Sequence, residues 1–130
     1  TILVIQDGSD FIFGCYCSEA WKVGPRFYGT GETFVFQLEV CFCVSVLSLV
    51  AVFVANRVYY PWKQDSTVRN NFFMFGCPDS LGVGGTGHFA IWVDSELLYG
   101  HSGLCDTFGS PCIASKEEFK ILKLELWGLT

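Results

Sequence analysis

The chain has 130 residues, 51% hydrophobic and 17% aromatic, with a formal net charge of −5. So apolar a composition excludes a disordered chain, and the length suits one domain around one sizeable core. With Lys+Arg at 8 against Asp+Glu at 13, phosphate backbones repel the chain, which excludes a broad nucleic-acid surface.

No Met-initiated signal or transit peptide opens the sequence. It begins on the β-rich run TILVIQ, so it is expected to be an excised or N-terminally truncated piece forming a single domain over residues 1–130. Asp7-Gly8-Ser9-Asp10 is turn chemistry, with Gly8 free to take positive φ, and FIFGCYC follows. Residues 1–17 therefore predict a hairpin. Ser18 is placed to cap one helical turn that Gly24-Pro25 ends. FYGTGETFVFQL (27–38) predicts a loop entering a strand, with Phe34 and Phe36 on one face. Beyond an anomalous segment come VYYPW, the polar run KQDSTVRNN, and FFMFG. HFAIWVD predicts a strand with Phe89, Ile91 and Val93 on one face, and a turn at Asp94–Glu96 leads into LLYGHS. Ser115-x-x-Glu118 has capping-box form, so a short helical turn is expected there. Leu122, Leu124 and Leu126 then alternate with polar residues or Trp127, which is a strand period. The fold class is mainly β (α+β): a sandwich of two antiparallel sheets with a few short helices.

"SLGVGGTGHFAIWVD" contains Gly82-x-Gly84-x-x-Gly87, the spacing of a phosphate-cradling loop. A dinucleotide site needs a helix after the glycines, and HFAIWVD alternates as a strand. Asp106, at the distance of a ribose-binding acid, then has no βαβ unit to serve. A Walker loop needs Lys after its last glycine, where His88 stands. The glycines are expected to shape backbone.

Catalytic sets are sparse. Cys105 and His101 are one candidate nucleophile pair. No cation flanks the thiol in sequence to lower its pKa, and Asp106 raises it; His101 is expected to be a hydrogen-bonding loop residue. Glu32 is a candidate buried orienting carboxylate, but alone it makes no acid/base pair. The 7 cysteines are an odd count, poorly suited to a closed disulfide framework. Cys15-x-Cys17 and Cys41-x-Cys43 lack the spacing of zinc knuckles. They are read as buried, reduced thiols, which points to a cytosolic or nuclear compartment, and no metal or cofactor is assigned.

"WKVGPRFYGTGETFVF", "DSLGVGGTGHFAIWVDSELLYGHSGLCDTFGS" and "ASKEEFKILKLELWGL" resemble, in order and spacing, the TLDc domain of oxidation-resistance proteins. The resemblance covers most of the chain outside Val40–Arg57. Departures are Thr86 within the glycine run, Ala90 for a usual Gly, Gly109-Ser110 for an asparagine-containing turn, and the family's missing N-terminal lead-in. The resemblance implies a two-sheet sandwich and a non-enzymatic interaction domain in oxidative-stress protection. It further implies binding to peripheral-sector subunits of the vacuolar proton-pumping ATPase and regulation of its assembly. A monomer is expected, cytoplasmic and drawn to membranes only through the pump, with mitochondrial or nuclear isoforms allowed. Residues matching the motifs, Glu32, Gly82, Gly84, Gly85, Gly87, Gly100, His101 and Ser102, are expected to shape the partner-binding surface. The alternatives are a peroxide scavenger using Cys77 or Cys105, and a scaffold with no activity.

Val40–Arg57, "VCFCVSVLSLVAVFVANR", has no counterpart in that pattern. Its apolar core is shorter than the ~20 residues of a membrane helix. Removing it joins FVFQLE to VYYPW. Pyrimidine-rich codons suit its Phe, Cys, Ser, Leu and Val, so translated intron is one reading and a genuine insertion the other.

Overall fold

The computed structural model describes residues 1–38 and 57–128. Nine strands follow in chain order: β1 (Ile2–Asp7), β2 (Ile12–Tyr16), β3 (Phe34–Leu38), β4 (Arg57–Pro61), β5 (Met74–Cys77), β6 (Ser80–Val83), β7 (Ile91–Asp94), β8 (Tyr99–His101) and β9 (Glu118–Trp127). They hydrogen-bond in the order β4-β3-β2-β1-β9-β8-β7-β6-β5, every pair antiparallel.

β9 joins the two halves. Its first residues, Glu118–Lys120, pair with β8, and Ile121 onward pairs with β1. Ile121 stands opposite Asp7, yet Lys123 stands opposite Gln6. Leu122 is therefore an extra residue, a β-bulge that bends the strand and raises its twist. The bend suits folding one half over the other. Leu3, Ile5, Phe13 and Val35 from one half share a buried cluster with Met74, Val83, Ile91, Val93 and Phe119 from the other. Phe13 meets Phe119 edge to face at 5.0 Å. The expected sandwich is thus one nine-stranded sheet folded on itself. Val4, Ile12, Phe36 and Leu38 form a second buried cluster on the other face of β1–β3, with Phe34 packed against it. Burial on both faces explains why ILVI is continuously apolar.

Several local expectations are corrected. No helix is found among the described residues. The Ser18 hydroxyl accepts the Thr30 N–H at 2.8 Å, tying two loops together instead of capping a turn. The Ser115 N–H donates to Asp7 Oδ2 at 2.8 Å, which fixes that segment against the first hairpin. In the Asp7–Asp10 turn it is Asp10, at φ 66°, that takes the left-handed conformation, not Gly8. Phe89 does not share a face with Ile91 and Val93. The Ala90 N–H donates to Val83 O although Ile91 is Val83's partner, so the ladder slips by one residue. Phe89 is left packed over Gly82, on the face opposite the core. The bulge likewise breaks the leucine alternation: Leu122 is exposed, while Leu124 packs on the core.

β6 is a strand hidden in the glycine-rich run, closing a hairpin with β5. No helix among the described residues is long and apolar enough to cross a membrane. The Val40–Arg57 segment lies outside the described residues, except that Arg57 opens β4 and pairs with Leu38 of β3.

Candidate functional site

The glycine run stands where side chains have no room. A Cβ on Gly82 would lie 2.5 Å from the Phe89 ring, on Gly84 2.5 Å from Cys105 Sγ, and on Gly85 2.8 Å from Phe72 Cβ. Gly84 and Gly87 also sit at φ of +82° and +78°, where a Cβ is strained. Thr86 shares that conformation at φ 54°, an outlier for a β-branched residue. Its hydroxyl donates to Gly85 O and accepts from Asn70 Nδ2, each at 2.8 Å, which holds it there.

Three amides of this loop are already engaged. The Gly84 N–H donates to Phe73 O at 2.9 Å, the Gly85 N–H to Thr107 Oγ1 at 2.9 Å, and the His88 N–H to Leu104 O at 3.1 Å. A phosphate cradle presents such amides to its ligand and leads into a helix; this loop leads into β7. Close packing, not phosphate binding, accounts for the glycines.

Asn70 and Thr107 form the hub beneath the loop. The buried Thr107 hydroxyl lies 2.6 Å from Asn70 Oδ1, to which it donates, and accepts the Gly85 N–H. Asn70 Oδ1 also accepts the Phe72 N–H at 3.1 Å, and Asn70 O accepts the Trp62 indole N–H at 2.7 Å. One amide side chain thus joins the 62–72 loop, the glycine loop and the Cys105–Ser110 turn. Neither hub residue was singled out from sequence. Asn70 sits in a run of polar loop residues, and no local spacing announces a partner with |i−j|=37.

The remaining candidates divide. Gly100 is squeezed between strands: its Cβ would lie 2.5 Å from Trp92 O and 2.6 Å from the Phe119 ring. Ser102 is buried, and its hydroxyl accepts the Ile113 N–H at 3.1 Å. The His101 ring stands 5.4 Å from that of His88, tilted by 41°. An open cleft of about 260 Å³ lies between Phe27, the Gly85–Phe89 loop and His101. Glu32 is exposed and does not line this cleft, because the turn at Thr30–Thr33 points it to solvent. It is not the buried orienting carboxylate that its place before a strand suggested.

The candidate nucleophile pair is not assembled. Cys105 is buried, and its Sγ donates to Gly85 O at 3.6 Å. Burial pushes the thiol above its ordinary pKa, the opposite of what a reactive thiol needs. Cys77 is half-buried at the end of β5. The Cys15 and Cys17 sulfurs lie 3.5 Å apart and buried. The hydrogen bond between them, and then burial, hold the Cys15 thiol well above the usual range. Cys41 and Cys43 lie outside the described residues.

Residues 1–130 match the family profile described as the TLDc domain. Oxidation resistance protein 1 of Rattus norvegicus is 39% identical over 128 residues, covering 98% of this chain and 13% of the relative. The MTOR-associated protein MEAK7 of Danio rerio is 33% identical over 133 residues, covering 99% of this chain and 27% of the relative. Nuclear receptor coactivator 7 of Mus musculus is 33% identical over 127 residues, covering 97% and 12%. The chain therefore spans a small part of the length of each of these relatives.

Proposed function

The chain belongs to the TLDc domain family, and from that premise we propose that it is a non-catalytic interaction domain in protection against oxidative stress. On this reading it binds peripheral-sector subunits of the vacuolar proton-pumping ATPase and regulates the pump's assembly. It works as a cytoplasmic monomer whose ligand is a protein, with neither nucleic acid nor cofactor.

The observation that carries the reading is the family match over the whole chain, joined to relatives named for oxidation resistance, association and coactivation. The site supports it. The glycine loop, the Cys105–Ser110 turn and the 62–72 loop are pinned by the Asn70–Thr107 hub into one rigid edge. A rigid edge suits recognition, because little ordering entropy is lost on binding. The scavenger alternative gains no support from Cys105, whose thiol is buried and held protonated.

The test is capture of pump peripheral-sector subunits from lysate by the purified chain. Gly85→Val drives a side chain into Phe72 and is expected to abolish capture, at a cost of roughly 1–3 kcal/mol. Leu104→Arg separates surface from stability, because Leu104 is 64% exposed beside the loop. Loss of capture with an unchanged melting temperature supports the loop edge as the partner surface. Normal capture by both variants places the partner elsewhere. No capture by the wild-type chain sinks the pump assignment.

A further inference from the structure

His88 and His101 are brought together by the fold from a loop and a strand. His101 lies on β8, opposite Trp92 of β7 and Glu118 of β9. His88 is held by its N–H bond to Leu104 O and by the neighbouring Gly103 N–H to Phe89 O, both 3.1 Å. Its side chain lies directly on Gly103, where a Cβ would come within 2.7 Å of His88 Cβ and Cγ. Gly103 is therefore the residue that seats this imidazole. The two ring centres are 5.4 Å apart, beside the open cleft of about 260 Å³.

We propose that His88 and His101 together form a binding site for a borderline divalent metal ion such as Zn²⁺ or Ni²⁺. Two imidazoles on one ion, at metal–nitrogen distances of about 2.0–2.1 Å and a tetrahedral angle, place their ring centres roughly 5 Å apart. The observed separation of 5.4 Å is close to that. Neutral imidazole suits this class of metal. Among the described residues no group of three or more His, Cys, Asp or Glu is placed to hold a metal, so water from the cleft completes the coordination. The surrounding charge is mixed. Glu118 stands across from His101, and Asp106 Oδ2 reaches to 4.0 Å of the Cβ position on Gly87. A second cleft, on the other side of His101, is lined by Lys116, Glu118 and Lys120. The two carboxylates offset the nearby lysine charge and so lower the repulsion a dication would meet. The bound ion ties the glycine loop to β8.

The test is titration of Ni²⁺ into the purified chain, thiols kept reduced, with ligands located by paramagnetic broadening of NMR signals. One ion per chain is expected, with broadening centred on both imidazoles. His88→Gln and His101→Gln should each weaken binding by about tenfold or more, since each leaves a single ligand. Cys77→Ser should leave binding unchanged, and acidification should release the ion, because only neutral imidazole ligates. Equal melting temperatures of the histidine variants without metal show that ligation, not folding, was lost; a histidine variant that melts lower is replaced by Gly103→Ala, which displaces the His88 ring and should also weaken binding. Broadening centred on a cysteine, or affinity unmoved by either histidine substitution, overturns the proposal.

Discussion

Asp7 ties the first hairpin to the start of β9, and its removal should be felt across the domain. It is fully buried. Oδ1 accepts the Ser9 N–H at 2.9 Å and the Phe11 N–H at 3.1 Å, and Oδ2 accepts the Ser115 N–H at 2.8 Å. Two of these close the β1–β2 turn. The third reaches a segment with |i−j|=108 and holds it where β9 must begin. Asp7→Asn keeps one acceptor oxygen for the turn but sets an amide N–H₂ against the Ser115 N–H. One charge-assisted bond is lost and a buried donor is left unpaired, at about 2–3 kcal/mol. Asp7→Ala orphans all three amides, and about 3–5 kcal/mol is expected. For a domain of this size the milder change lowers the melting temperature by roughly 6–12 °C.

Urea unfolding at neutral pH, followed by tryptophan fluorescence, measures both variants. A second donor-side change, Ser115→Pro, removes the same N–H from the other end. In a double-mutant cycle with Asp7→Asn the two effects should overlap rather than add. If Asp7→Asn unfolds within about 0.5 kcal/mol of wild type, the Asp7–Ser115 link contributes nothing and the reasoning fails.

Further outcomes follow from other parts of the molecule. Cys15 and Cys105 have folded pKa values above those of the unfolded thiols. The folded state thus keeps protons the unfolded state loses, and stability should fall as pH rises above roughly 8.5–9 toward the folded values. Urea midpoints at pH 8 and pH 10 should diverge less in Cys15→Ala and Cys105→Ala variants than in wild type, and a bulky thiol reagent should label both residues only on unfolding. Because Leu38 and Arg57 are Cα partners, replacing residues 39–56 by Asn-Gly should close β3 and β4 as a two-residue hairpin, with shorter loop closure contributing roughly 1–2 kcal/mol. An unfolded deletion variant, or strong dye binding from an uncovered Val4–Ile12–Phe36–Leu38 cluster, would show that the segment belongs to the fold, and transcripts that always retain it would remove the intron reading.

The parts legible in the sequence were those written in local spacing. Two β-rich runs around the Asp7–Asp10 turn marked the first hairpin, and FVFQL and VYYPW announced β3 and β4. The TLDc motifs carried the family, and the glycine run was readable as packed backbone because a strand follows it. What stayed hidden depends on residues distant in the chain. Ser115-x-x-Glu118 spells a capping box, yet Asp7 takes the Ser115 amide, and a local signal yields to a buried carboxylate from the far end of the chain. Leu122, Leu124 and Leu126 spell one face, yet the bulge needed to carry β9 from β8 to β1 turns Leu122 outward. The candidate site follows the same logic. Gly84 and Gly85 were recognisable, but the Asn70–Thr107 hub that holds them was not, and neither was the meeting of His88 with His101. Glu32 precedes a strand, yet the Thr30–Thr33 turn leaves it exposed, so the reading of it as a buried carboxylate is corrected. In this domain these turns are therefore set by side chains from segments distant in the chain. A substitution at Asp7 or Asn70 should disturb loops whose own sequence is untouched.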